Sequence, residues 1–164
     1  MVARHTLTTR TTVHVATVAA LYTVLTLAIA PLSYGPIQLR ASEALKPLVL
    51  FNPALSLGIG IGTFFANIAS PYTGPWELIW MPLTDTAGGL LAWLLYRALR
   101  QRHAWAPCLL YAATTAAAVA LMLTTLGLGP FAILALPIAA SEITVLLAGY
   151  TMLKVARRWL TPQP

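Results

Sequence analysis

The chain has 164 residues, 59% of them hydrophobic and 9% charged, with a mean hydropathy of +0.77 and a formal net charge of +6. Soluble domains carry about 25% charged residues, so a water-soluble fold of this length would lack the polar side chains to cover its surface, whereas lipid accepts an apolar exterior. The basic excess does not suit nucleic acid, because the ten Lys and Arg sit mainly at the ends of apolar runs, and the lone Cys108 excludes an intrachain disulfide or a cysteine metal site.

About 20 apolar residues cross a bilayer as a helix, and the chain offers six candidate segments in one domain, 1–164. The first, Val13 to Ala30, follows Arg4 and Arg10 and ends Ala28-Ile29-Ala30, like a signal peptide with its cleavage site. It is longer than a signal core and Pro31 follows it, so it reads as a retained span. The second, Ile37 to Phe51, stops at Asn52-Pro53 and carries Arg40, Glu43 and Lys46, so it cannot face lipid throughout. The third, Ala54 to Ala69, contains Gly58, Gly60 and Gly62, which permit close approach by a neighbour.

The fourth segment, Trp76 to Leu99, is interrupted by Pro82 and Gly88-Gly89. Backbone groups freed there need a protein or water partner, since lipid offers none. The fifth, Pro107 to Leu126, ends at Gly127-Leu128-Gly129-Pro130, and the sixth runs from Phe131 to about Val155. Arg4, Arg10, Arg97, Arg100, Arg102, Lys154, Arg157 and Arg158, eight of the ten bases, fall on one side of this arrangement. The loops around Gly35, Gly74 and Gly129 contain no Lys or Arg. The positive-inside rule therefore predicts an all-α bundle of six transmembrane helices with both termini cytoplasmic. Trp105 and Trp159 fall at the inner boundary, Trp76 and Trp80 at the outer.

All four acids, Glu43, Glu77, Asp85 and Glu142, lie in or beside the spans. Charges at that depth face the bundle interior or a wet cavity and often mark a ligand path. At about 100° per residue Arg40, Glu43 and Lys46 form one stripe, which reads as a self-neutralising ladder, with Glu43 equally able to meet a ligand. Glu142 has no base within a helical turn, so its partner comes from another helix, a ligand or a proton. Asp85 could be satisfied locally by Thr84 and Thr86 or meet a ligand, and Glu77 could be solvated near the outer interface. Asn67 and Gln38 can donate and accept. Tyr34, Tyr72, Trp76 and Trp80 read either as the interfacial belt or as a wall for a flat ligand. His5, His14 and His103 show no metal-ligand spacing, and no P-loop, G-x-S-x-G or H-E-x-x-H occurs, so the chain cannot power ATP-driven transport by itself.

Tyr34-Gly35-Pro36-Ile37-Gln38-Leu39-Arg40-Ala41-Ser42-Glu43 resembles the Y-G-x-x-Q-x-R-x-S-E signature of the QueT transporter family. Phe51-Asn52-Pro53, Phe65-Ala66-Asn67 and Glu142 with Gly149-Tyr150 and Lys154 are similar to its later segments. Span four departs from the family pattern, with Glu77 offset and Met81-Pro82-Leu83-Thr84-Asp85 intervening. The resemblance implies a substrate-binding S component of an energy-coupling factor (ECF) importer for a queuosine precursor, a deazapurine-like base, without a cofactor. It further implies a transmembrane coupling subunit and two ATPase subunits as partners, with Ala16 and Ala20 matching the family's A-x-x-x-A docking pattern. A 7-deazaguanine base would then place its guanine-like edge on Glu142 or Asp85, and its carbonyl and ring nitrogens on Asn67 and Gln38. Trp76 or Trp80 would stack on the ring, and an aminomethyl cation would meet Glu43 or Glu77. Three other readings stay open: an S component for another vitamin or nucleobase, a small membrane enzyme using Glu43, Asp85 and Glu142, and a structural membrane subunit.

Overall fold

A computed structural model describes residues 9–35 and 38–160, with side chains through Val155. Arg4, His5, Pro36, Ile37 and the side chains of Arg157, Arg158 and Trp159 lie outside the described residues. Every regular element among the described residues is helical: α1 (Thr9–Ala28), the short α2 (Ala30–Ser33), a 3-10 helix (Ala41–Leu50), α3 (Leu55–Asn67), a π turn (Trp76–Trp80) leading into α4 (Met81–Ala98), α5 (Trp105–Thr125) and α6 (Phe131–Leu160). Four stretches, Thr9–Ala28, Trp76–Ala98, Trp105–Thr125 and Phe131–Val155, are long and apolar enough to cross a membrane. They present Val24, Leu83, Ile133 and Leu136, all more than half exposed, on the outside. With so apolar an exterior over several crossing helices, the protein is a multi-pass membrane protein.

The second and third expected spans are shorter than the sequence suggested. Ten residues of 3-10 helix at about 2.0 Å each, and the thirteen of α3 at about 1.5 Å each, reach roughly 20 Å against a hydrocarbon core of roughly 30 Å. The 3-10 helix stops at Asn52-Pro53 as expected, where Pro53 lacks a donor and Asn52 folds its side chain back onto the Ala54 N–H at 3.1 Å, but it begins only after the extended Arg40, and α3 ends two residues early, at Asn67.

The longer elements form an arc, α1 packing on α3, α3 on α4, α4 on α5 and α5 on α6, and the 3-10 helix closes it by packing between α6 and α1, with further contacts to α3 and α4. Its charged side chains Glu43 and Lys46 are buried in protein rather than set beside lipid. Close approach makes the ring tight. A Cβ on Gly62 would meet Tyr22 Cβ at 2.7 Å and the Ala19 carbonyl at 2.9 Å, and one on Gly149 would run into the backbone of Ala44 in the 3-10 helix. Apolar packing fills one end around Tyr22, Val49, Ile59, Tyr111 and Leu146, and the other around Met81, Ala116, Val119, Met122 and Ile138.

The break in the fourth segment follows from Pro82, which has no N–H for the Leu78 carbonyl. The chain absorbs this one turn earlier, where the Met81 N–H reaches back five residues to the Trp76 carbonyl. Gly62→Val should cost about 1–3 kcal/mol through overpacking against α1, read as a lower unfolding temperature in detergent. Gly74→Ala, whose Cβ would meet only the Tyr72 carbonyl at 3.8 Å, should stay within about 0.5 kcal/mol.

Candidate functional site

A 3-10 helix has about three residues per turn, so side chains three apart stack on one line. Glu43 and Lys46 therefore project together from this helix, more sharply than an α-helix would place them. Lys46 Nζ pairs with Glu43, with Asp85 Oδ1 of α4 at 2.8 Å and with Glu142 Oε2 of α6 at 3.8 Å. It also donates to Thr115 Oγ1 at 2.8 Å and lies 4.7 Å from the centroid of the Tyr111 ring. Each carboxylate is held in turn. Tyr22 OH donates to Glu43 Oε1 at 2.5 Å, and Thr63 Oγ1 to Asp85 Oδ2 at 2.6 Å. Thr115 adds a longer bond to Asp85 Oδ1 at 3.4 Å, and Tyr111 OH donates to the Asp85 backbone carbonyl at 2.6 Å. Glu142 lies against Glu43, and one oxygen of each, Glu43 Oε2 and Glu142 Oε2, is buried with Lys46 as its ion-pair partner and no hydrogen-bond partner, while Ser141 Oγ is also buried without one.

A second polar tier lies toward the connections around Gly35 and Gly74. Arg40 Nε donates to the Ser33 carbonyl at 3.2 Å and Nη2 to Gln38 Oε1 at 3.4 Å, with the guanidinium 5.5 Å from the centroid of the Tyr34 ring. Tyr34 OH donates to the Ala66 carbonyl at 2.5 Å, and burial raises the pKa of this phenol, which keeps it a donor. Asn67 Nδ2 donates to the Glu77 backbone carbonyl at 3.1 Å, and Ser70 Oγ to Glu77 Oε1 at 3.1 Å. That leaves Asn67 Oδ1 and Glu77 Oε2 buried with no hydrogen-bond partner. Asn67 and Glu77 are thus joined by one bond, and each keeps a buried acceptor that an N–H donor could meet.

Several expectations change. Arg40 does not continue the ladder through Glu43, because it caps the 3-10 helix in an extended conformation (φ −108, ψ 113) and so points away from the helical line. Asp85 is satisfied by Thr63 and Thr115 from α3 and α5, not by Thr84 and Thr86. Sequence neighbours on a helix diverge by about 100°, and Thr86 instead bonds the Pro82 carbonyl at 2.8 Å. Glu77 is fully buried rather than solvated. Glu142 takes its base from another element, Lys46. Trp76 is half-buried and meets Trp80 edge-to-face at 5.7 Å. Trp80 is 40% exposed and lines an outer groove with Leu83, Thr84 and Phe131. Ala16 and Ala20 are exposed on α1 and line a groove of about 560 Å³ with Ile61 and Phe65 of α3.

Sequence reasoning passed over Tyr22, Thr63, Ser70, Tyr111 and Thr115, which hold the carboxylates. The available signal was their position as isolated polar groups in apolar runs, but hydroxyls are common in spans and bond their own helix. Among the described residues no group of His, Cys, Asp and Glu is arranged to hold a metal ion.

A membrane bundle whose interior collects all four acids of the chain with two bases belongs to the class of polytopic membrane proteins built around a buried polar site. The sequence model of the QueT transporter family matches residues 12–158. The chain belongs to that family. The queuosine precursor transporter QueT of Lactococcus lactis subsp. cremoris (strain MG1363) is 42% identical to it over 60 residues, 35% of this chain and 36% of that relative. The matched stretch thus spans about a third of the relative's length. No solved structure matches the chain. Membership in a family of transporters argues against the enzymatic reading of Glu43, Asp85 and Glu142.

Lys46→Met would leave three buried carboxylates without their base and should destabilise the protein by about 3–5 kcal/mol, measured by thermal unfolding in detergent. Lys154→Met, at an exposed position, should change stability by less than about 0.5 kcal/mol.

Proposed function

We propose that this protein is the substrate-capture (S) subunit of an ECF-type importer, taking a 7-deazaguanine-type queuosine precursor from the outer side of the cell membrane. A transmembrane coupling subunit and two ATPase subunits supply the energy, since the sequence carries no P-loop of its own. All 164 residues act as one integral membrane domain that crosses six times with both termini inside. The connections without Lys or Arg face outward. The two short segments cross within the bundle, covered by the longer helices.

One observation carries the substrate class: the unpartnered acceptors Asn67 Oδ1 and Glu77 Oε2 on two residues that are bonded to each other. A guanine-like edge offers neighbouring N–H donors, and a carboxylate with a carbonyl beside it is the matching acceptor pair. Family membership and the name of the Lactococcus relative point to the same ligand. Glu77 with Asn67 thereby takes the role first given to Glu142 or Asp85, whose Oδ atoms are already bonded. Gln38, Arg40 and Tyr34 line the approach, and Trp76 is the aromatic face beside it. The exposed Ala16 and Ala20 on α1 give the coupling subunit a small-residue groove beside α3.

Calorimetry on the purified protein should show one-to-one binding of a 7-deazaguanine base, and Glu77→Gln should weaken it by about 2–3 kcal/mol, the range for bonds to a charged group. Failure of the isolated protein to bind any deazaguanine would leave a structural subunit as the better reading. Ala16→Leu with Ala20→Leu should abolish co-purification with the coupling subunit while leaving ligand affinity within about threefold; retained co-purification would move docking to another face.

A further inference from the structure

All four acidic side chains of the sequence lie inside the bundle, with Glu43, Glu77, Asp85 and Glu142 at most 3% exposed. Arg10, Arg97, Arg100, Arg102 and Lys154 are exposed, and no ion pair joins them to an acid among the described residues. No acidic side chain is left to answer them, so their counter-charge comes from outside the protein. Bases at the ends of crossing helices are general in membrane proteins, but Arg97 also stands in a built pocket. A polar cavity of about 320 Å³ opens between the C-terminal ends of the 3-10 helix and α4, lined by Phe51, Trp93, Tyr96, Arg97 and Gln101. Phe51 meets Tyr96 edge-to-face at 6.4 Å, and the Arg97 guanidinium lies 5.4 Å from the centroid of the Trp93 ring. After α4 the chain turns through Arg100 and Gln101, both at positive φ (52 and 61), and the Gln101 N–H bonds the Tyr96 carbonyl at 2.9 Å. Residues with side chains rarely adopt this left-handed backbone. Here two do so in succession, and the second puts Gln101 on the pocket wall.

We propose that this pocket holds the phosphate headgroup of one anionic phospholipid. A guanidinium offers a phosphate two parallel N–H bonds, and basic pockets between membrane helices take anionic headgroups. Gln101 adds an amide that donates and accepts. The last carbonyls of two helices end at the same place, which favours a headgroup with hydroxyl donors, such as phosphatidylglycerol, over a bare phosphate ion. The apolar part of a lipid also finds a surface. Leu90 and Leu94, 41% and 54% exposed, precede Arg97 on the same face of α4. A lipid along that face has its tails on the leucines and its phosphate at Arg97. In the orientation proposed above this is the inner leaflet, and the binding does not depend on which ligand is transported.

The test is native mass spectrometry of the full chain in detergent, titrated with dioleoyl phosphatidylglycerol or with dioleoyl phosphatidylcholine. The wild-type protein should hold one phosphatidylglycerol about fivefold more tightly than phosphatidylcholine, the effect of one basic residue on an anionic headgroup. Arg97→Gln should bring the two lipids within about twofold of each other. Arg102→Gln, outside the pocket, should leave the preference intact. Both positions are exposed, and an unchanged unfolding temperature shows that each variant is folded. Equal loss of preference in both variants would overturn the proposal in favour of diffuse attraction by the basic end of the molecule. Equal binding of the two lipids by the wild type would overturn it outright. Displacement of bound phosphatidylglycerol by millimolar inorganic phosphate would assign the pocket to a free anion instead of a lipid.

Discussion

The ion pairing of Lys46 with carboxylates from three elements is the constraint around which the bundle is arranged. An ammonium carried to bilayer depth is tolerated only where opposite charge and hydrogen-bond acceptors meet it. Glu43 on its own helix, Asp85 on α4 and Glu142 on α6 do so, with Thr115 on α5 accepting a further bond. Because these groups come from separate elements, satisfying one amine ties the 3-10 helix to α4, α5 and α6. Tyr22 brings in α1 through Glu43, and Thr63 brings in α3 through Asp85. Such a network fixes which helix faces inward, a choice that apolar packing alone leaves weakly specified when the surrounding lipid is as apolar as the core.

The ten-residue 3-10 helix follows from the same constraint. Runs of that length are uncommon, since the hydrogen-bond geometry is poorer than in an α-helix. Here the period places Glu43 and Lys46 on one line and makes a short segment long enough to close the bundle between α6 and α1. Close contact of Gly149 with the backbone of Ala44, and of Gly62 with α1, lets the surrounding helices come near enough to cover it. The slender 3-10 helix, the small residues and the charge cluster are thus one design: a segment whose charged side chains Glu43 and Lys46 are covered by protein because they cannot touch lipid.

Much of the architecture was legible in the chain. Hydropathy and Gly-Pro punctuation marked the helical segments to within a few residues at most ends, and α4 to α6 follow the expected bounds closely. The charges of Ile37 to Phe51 already meant that this stretch could not face lipid throughout. The relation between the charges was harder to read. The Arg40–Glu43–Lys46 spacing suggested an unbroken ladder, but spacing does not report that Arg40 sits in extended backbone before the helix begins. Thr84 and Thr86 were natural partners for Asp85 by proximity in sequence, yet helical divergence points them elsewhere. Glu77 lay near a boundary and so could have been wet; the π turn that Pro82 imposes folds it inward instead.

The sequence by itself determined the solvent and the stakes: 59% hydrophobic residues with 9% charged compel a lipid-facing exterior, and acids within apolar runs must find partners inside. It also determined where helices stop, because Pro and Gly act through local backbone geometry. Tertiary structure alone decided which partner each acid found, that Asp85 is fully engaged, and that Glu43, Glu142, Asn67 and Glu77 each keep an oxygen without a hydrogen-bond partner. Those outcomes depend on groups from distant segments arriving within about 3 Å of one another, and no local pattern encodes a distance between helices.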